Sequence, residues 1–281
     1  MTVRTLGPVL AALLFAGGRE EPRAPFAEAL LSVAEEAGEG AVDEPRALSE
    51  LSRIARLVSA REAEGASRAE ALNRTIFGTL GFVREVEDAS LRFVLLPSVL
   101  RGRRGSCVGL GTLYIALGEE LGWKVEGVMV PGHFYVRVDE GTRSRNVELL
   151  RHGEEMPDAW YRVRFASKGG APEYRRALTA REVLAVVEYD VGNERKREGR
   201  LPEARRAYLL SSSLFPGLSE AHANLGATLH LLGDLDDALA SYRAARLENP
   251  ELPGVDHNIE LLRVELESGA SDRPPRRTSG Y

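Results

Sequence analysis

The last third of the chain repeats itself at a fixed interval. Shifted by 34 residues, Gly192 falls on Gly226, Gly199 on Gly233, Ala204 on Ala238, Tyr208 on Tyr242 and Pro216 on Pro250. A period of this length corresponds to one helix–turn–helix unit that cannot bury its apolar face alone, so successive units have to stack. In the second unit Gly226 and Ala238 leave room for two helices to meet, and Pro250 stops the second of them. A further helix opens after Pro253 with Ile259 in phase. There Glu260 takes the place of the glycine, as suits a cap with a polar outer face. The spacing predicts five helices over residues 185–265, two hairpins and a capping helix.

The motif spacing resembles the tetratricopeptide repeat. That resemblance implies a repeat domain over residues 183–267 whose groove holds a protein partner. The first unit, counted from Ala185, departs from the repeat pattern at Glu188 and Arg195, where larger apolar or aromatic groups are usual. His222 and His230 lie on the first helix of the second unit and are read as repeat packing or groove lining. Residues 270–281, rich in Arg, Pro, Ser and Gly, read as a disordered tail.

A chain of 281 residues leaves room for a second domain ahead of the repeats. Its 43% hydrophobic and 28% charged residues are those of a soluble globular protein, with no integral membrane span expected. Thirty-seven basic against 42 acidic residues give a net charge of −5, which argues against nucleic acid as a partner. Cys107 is the sole cysteine, so an internal disulfide, a cysteine-rich zinc site and an iron–sulfur cluster are all excluded. No two of the five histidines are four residues apart, and no metal or other cofactor is expected.

Residues 1–18 have the layout of a secretory signal: Arg4, an apolar run from Leu6 to Ala16, then Ala16-Gly17-Gly18 before a charged stretch. The expectation is export to the periplasm or cell envelope, the alternative a cytoplasmic protein. In an oxidising compartment a single unpaired cysteine suggests a reactive thiol.

The chemistry is expected in the middle of the chain. Residues 43–62 read as an amphipathic helix, and Ser67-Arg68-Ala69-Glu70 as a capping box opening another that ends at Gly81. Apolar or small residues at 107, 110, 111, 114, 117, 118 and 121 then trace one face of a helix that stops at Gly122. Cys107 falls in its first turn, where free N–H groups favour a thiolate and Arg103 and Arg104 would add positive charge. Val125–Val130, His133–Val138 and Asn146–Leu150 follow as three strands, the first two joined at Pro131-Gly132. A cysteine opening a helix, a histidine opening a strand, and Glu148 or Asn146 on the next strand form the parts of a thiol nucleophile, its base and the base's orienter.

The runs Gly105-Ser106-Cys107-Val108-Gly109-Leu110 and Pro131-Gly132-His133-Phe134, with Ala71–Gly81, Leu95–Arg104 and Glu126-Gly127-Val128, resemble the SirB-type branch of the bacterial transglutaminase-like superfamily over roughly residues 45–165. The resemblance implies an α+β, papain-like core, helices packed on a small antiparallel sheet, in a domain spanning residues 26–175. It implies Cys107 as nucleophile, His133 as base and Glu148 as orienter, fifteen residues after the histidine. Glu148 stands where an aspartate is more usual, and Asn146 remains the alternative. His152, beside Arg151 and Gly153, reads as a surface loop residue. Two functions fit. One is a cysteine-dependent acyl-transfer enzyme acting on a peptide or protein carbonyl; the other is a non-catalytic domain of this fold in a repeat-based binding scaffold.

Overall fold

The computed structural model describes residues 25–38, 42–166 and 174–270. The expected export segment and residues 271–281 of the expected tail lie outside the described residues. Helices α1 (Phe26–Ala37), α2 (Glu44–Ala63) and α3 (Arg68–Asn73) come first, and α3 continues into a π-helical turn at Arg74–Thr79. Strand β1 (Val83–Arg84), helix α4 (Leu96–Gly102) and strand β2 (Arg104–Gly105) lead into α5 (Cys107–Glu120). Strands β3 (Val125–Val130), β4 (His133–Asp139), β5 (Ser144–Glu148) and β6 (Glu154–Glu155) follow, then helix α6 (Asp158–Arg164) and strand β7 (Ala177–Leu178). Five helices close the described chain: α7 (Ala180–Arg197), α8 (Leu201–Leu214), α9 (Ser219–Leu232), α10 (Leu235–Glu248) and α11 (Val255–Ala270). Among the described residues no helix is long and apolar enough to cross a membrane.

The chain is mostly helical around one five-stranded antiparallel sheet of order β6-β5-β4-β3-β7, with a separate parallel pair, β1 and β2. Alternation along β4 sends Phe134, Val136 and Val138 into the main core shared with α5. The opposite face carries Tyr135, which packs with Val128, Val130, Met156 and Tyr161 in a small second core closed by α6.

Three local expectations are corrected. Helix α5 is buried all round from Val108 to Gly118, not along one face, because α2, α4, α7 and the sheet surround it. Only half of the capping box at α3 forms: the Ser67 hydroxyl accepts from the Glu70 N–H at 3.4 Å, while the Glu70 carboxylate pairs with Arg74 at 2.6 Å. The third strand ends at Glu148 rather than Leu150, because the Glu148 carboxylate accepts from the Leu150 N–H at 3.0 Å and caps a 3₁₀ turn over Leu149–Arg151.

The 34-residue period maps onto α7–α8 and α9–α10. A Cβ added at Gly192 would lie 2.5 Å from the Tyr208 ring, and one added at Gly226 would lie 3.0 Å from the Tyr242 ring. The same pair of positions in each unit thus sets an aromatic ring flat on a glycine. The two helix pairs are seated differently. Val183, Leu184, Val187, Leu210 and Leu214 join the main core with α1 to α5, whereas Leu225, Leu229, Tyr242 and Ile259 form their own cluster.

Candidate active site

Cys107 is the first residue of α5, and three local features hold it there. The Ser106 hydroxyl accepts from the Gly109 N–H at 3.2 Å and caps the helix. The Ser106 N–H donates to the Phe93 carbonyl at 2.8 Å. That carbonyl lies so close to the helix start that a Cβ at Gly109 would sit 2.0 Å from its oxygen, so only glycine fits. The cysteine is half-buried, and its own N–H, at the first helical position, has no acceptor within the helix.

His133 opens β4 opposite Val130, across the two-residue turn Pro131-Gly132. Gly132 has φ +67°, a left-handed conformation that costs a glycine nothing. The register of β4 against β5 decides which partner the imidazole meets. Val136 faces Val147 and Arg137 faces Asn146. Glu148 is thereby set opposite Tyr135, one diagonal step from His133 on the same face. Asn146 is four residues along from His133, on the order of 13 Å at strand spacing.

The contacts follow that register. His133 Nε2 donates to Glu148 Oε2 at 2.7 Å, with side chains only 6% and 2% exposed. Asn146 Oδ1 accepts from Arg137 Nε at 2.9 Å, and its Nδ2 donates to Asp158 at 2.6 Å and to the Met156 carbonyl at 3.3 Å. Asn146 therefore braces β5 against α6 and does not touch the histidine.

With Nε2 engaged by the carboxylate, Nδ1 is left for the thiol. Burial pulls the His133 pKa down, but hydrogen bonds to Cys107 and Glu148 and the charges of both outweigh it and raise it to about 9. Phe165 stacks on the imidazole with ring centroids 4.6 Å apart and planes 9° off parallel, which fixes the ring's orientation. Tyr161, buried against Tyr135 at 3.7 Å, is pushed well above the usual phenol range by burial and by the nearby Glu148 charge. Sequence reading missed both aromatics. Their signal was the cluster of Trp160-Tyr161 on a seven-residue helix with Phe165 directly after it, more aromatic side chain than so short a helix needs to pack.

Cys107 and His133 open into one cleft of about 390 Å³. The Arg103 and Arg104 charges expected beside the thiol go elsewhere. Arg104 pairs with Glu85 at 2.6 Å, and Arg103 donates to the Leu80 carbonyl at 3.1 Å. A separate hollow of about 560 Å³, lined in part by Arg46, Arg53, Arg101 and Arg103, holds none of the candidate side chains.

The remaining histidines stand apart from the site. His222 Nε2 donates to the Pro216 carbonyl at 2.8 Å, His230 meets Glu265 at 2.9 Å, and exposed His152 lies edge-on to Phe77. Among the described residues no group of three or more His, Cys, Asp or Glu side chains is arranged to hold a metal ion.

Residues 45–186, 142 of the 281, match the transglutaminase-like superfamily, and the chain belongs to that superfamily. No curated protein matches the chain.

Proposed function

We propose that this member of the transglutaminase-like superfamily is a cysteine-dependent acyl-transfer enzyme of the SirB-type branch, acting on a peptide or protein carbonyl. The observation that carries this reading is the buried 2.7 Å bond from His133 to Glu148, on an imidazole that Cys107 also acts on from the same cleft. Glu148 holds the proton on Nε2 and so presents Nδ1 to the thiol. The thiol proton passes to Nδ1, and the Cys107 sulfur adds to the carbonyl carbon. The Cys107 N–H donates to the oxyanion that develops. His133 then returns the proton to the leaving amine as the carbon–nitrogen bond breaks, leaving a thioester on Cys107. Water or a second amine discharges the thioester, with His133 again taking the proton.

Helices α7 to α11 are read as tetratricopeptide-type repeats that engage a protein partner. This part rests on the 34-residue period and on the matching glycine–tyrosine packing of the two units.

Alkylation by iodoacetamide as a function of pH tests the reaction centre, since only one thiol can react. Wild type should label fast at pH 6, and His133→Ala should slow that labelling by tenfold or more, on the order of the effect expected of an activating base. Glu148→Gln should slow it less, and Asn146→Ala should leave it near wild type. Labelling that begins only above pH 8 and ignores His133 would overturn the enzyme reading and leave a binding scaffold in its place.

A further inference from the structure

The cleft that holds Cys107 and His133 is not closed by the transglutaminase-like core alone. Val186, Tyr189 and Asp190 from α7, with Leu218 and Glu220 at the start of α9, also line it. Five carboxylates line the cleft, from Glu85, Glu87, Asp88, Asp190 and Glu220, and among the described lining residues there is neither lysine nor arginine. In a chain with 37 basic residues that separation has to be built.

The carboxylates differ in what already balances them. Glu85 accepts three backbone N–H bonds and pairs with Arg104, and Asp88 pairs with Arg92 at 2.5 Å. Asp190 and Glu220 have only neutral partners: Asn193 for the first, Tyr174 and Ser219 for the second. Both act electrostatically on the Tyr189 phenol, which lines the same cleft and carries no charge of its own. Burial raises the Asp190 pKa to about 7, so a cation arriving beside it would favour the ionised form.

We infer that Asp190, Glu220 and the face of Tyr189 form a subsite for a cationic side chain, lysine or arginine, on the peptide whose carbonyl Cys107 attacks. This rests on the reading of Cys107 and His133 as the reactive pair, which supplies the site; the carboxylates assign what enters it. Two carboxylates without basic partners and an aromatic ring are the surroundings that retain an ammonium or guanidinium against water. Helix α7 therefore has a second duty besides stacking: it sets the charge preference of the cleft.

Charge-matched thiol reagents test the inference on the full chain. The probes are methyl methanethiosulfonate, its cationic trimethylammonium-ethyl analogue and its anionic sulfonatoethyl analogue. Each forms a mixed disulfide with Cys107 and releases methanesulfinate. At low ionic strength the cationic reagent should react about tenfold or more faster than the anionic one, the scale on which a charged cleft enriches counter-ions. The ratio should fall severalfold in Asp190→Asn/Glu220→Gln, and in wild type when salt is added.

In parallel, acetyl-Ala-Lys-Ala-amide should protect wild-type Cys107 from the neutral reagent, and acetyl-Ala-Glu-Ala-amide should not. A wild-type ratio near one, a ratio indifferent to the double substitution, or equal protection by the two peptides overturns the subsite. The neutral reagent's own dependence on pH and on His133 reports the reactive pair separately, so failure of that reading and failure of the subsite give different results.

Discussion

Where α9 carries His222, Ala223, Asn224 and Leu229, α7 carries Glu188, Tyr189, Asp190 and Arg195, 34 residues earlier. The two helices share a period and the same glycine–tyrosine packing, yet four of their positions hold different chemistry. Packing explains two of the four. Arg195 is 4% exposed, pairs with Glu198 at 2.8 Å and donates to the Ala37 carbonyl at the end of α1, whereas Leu229 packs among apolar neighbours of its own repeat. Glu188 is 5% exposed, and burial, reinforced by the Glu36 charge of α1, raises its pKa to about 8. Tyr189 and Asp190 face the cleft instead. Departures from a repeat pattern can thus mark where a unit stops serving its neighbour and docks onto something else.

The largest expected effect comes from breaking the packing that the two units share. Gly192→Leu would force a side chain where even a Cβ lies 2.5 Å from the Tyr208 ring, and α7 belongs to the main core. It should lower the urea midpoint of the full chain by the equivalent of about 3 kcal/mol or more. Gly226→Leu, with 3.0 Å to the Tyr242 ring and a separate cluster around it, should cost about 1–3 kcal/mol. Equal losses would mean that the first pair is no more tightly seated than the second.

Glu188 gives the next effect, with a definite sign. Its folded pKa of about 8 lies above the ordinary 4.5, so the folded state keeps a proton that the unfolded state releases. Its contribution is fully present below about pH 4.5, falls through the window up to about 8 and is then constant. The slope within the window reaches at most about 1.4 kcal/mol per pH unit. Glu188→Gln should remove that slope, so urea melts of variant and wild type should diverge in the variant's favour between pH 5 and pH 8. Parallel curves would show that the carboxyl is not held neutral.

The smallest effect concerns the tyrosines. Tyr208 donates to Asn193 Oδ1 at 2.8 Å, and Asn193 also accepts from Asn224 Nδ2 at 2.9 Å, a polar link between α7, α8 and α9. Tyr208→Phe should cost about 0.5–1.5 kcal/mol by thermal melting, the usual net worth of one hydrogen bond. No loss would place the coupling of the units in the apolar contacts alone.

The repeat period, the five C-terminal helices, the cysteine at a helix start and the histidine at a strand start were all legible in the residues. These features are local: a glycine, a proline or an N-cap acts within a few residues of itself. The choice between Glu148 and Asn146 was not legible, because both lie on the same face of one strand and the register against β4 decides between them. Nor was the fate of Arg103 and Arg104, whose partners Leu80 and Glu85 lie about twenty residues away in the chain.

The sequence by itself determined on which kind of element Cys107, His133 and Glu148 sit, since periodicity and turn residues act along the chain. Tertiary structure decided what those side chains meet. It brought Glu148 rather than Asn146 to the imidazole, stacked Phe165 on that ring, and made α7 part of the lining of the cleft that holds Cys107 and His133. Strand register, and the docking of α7 against α1 and α5, are settled by the summed burial of many distant apolar groups, which no short stretch of sequence expresses.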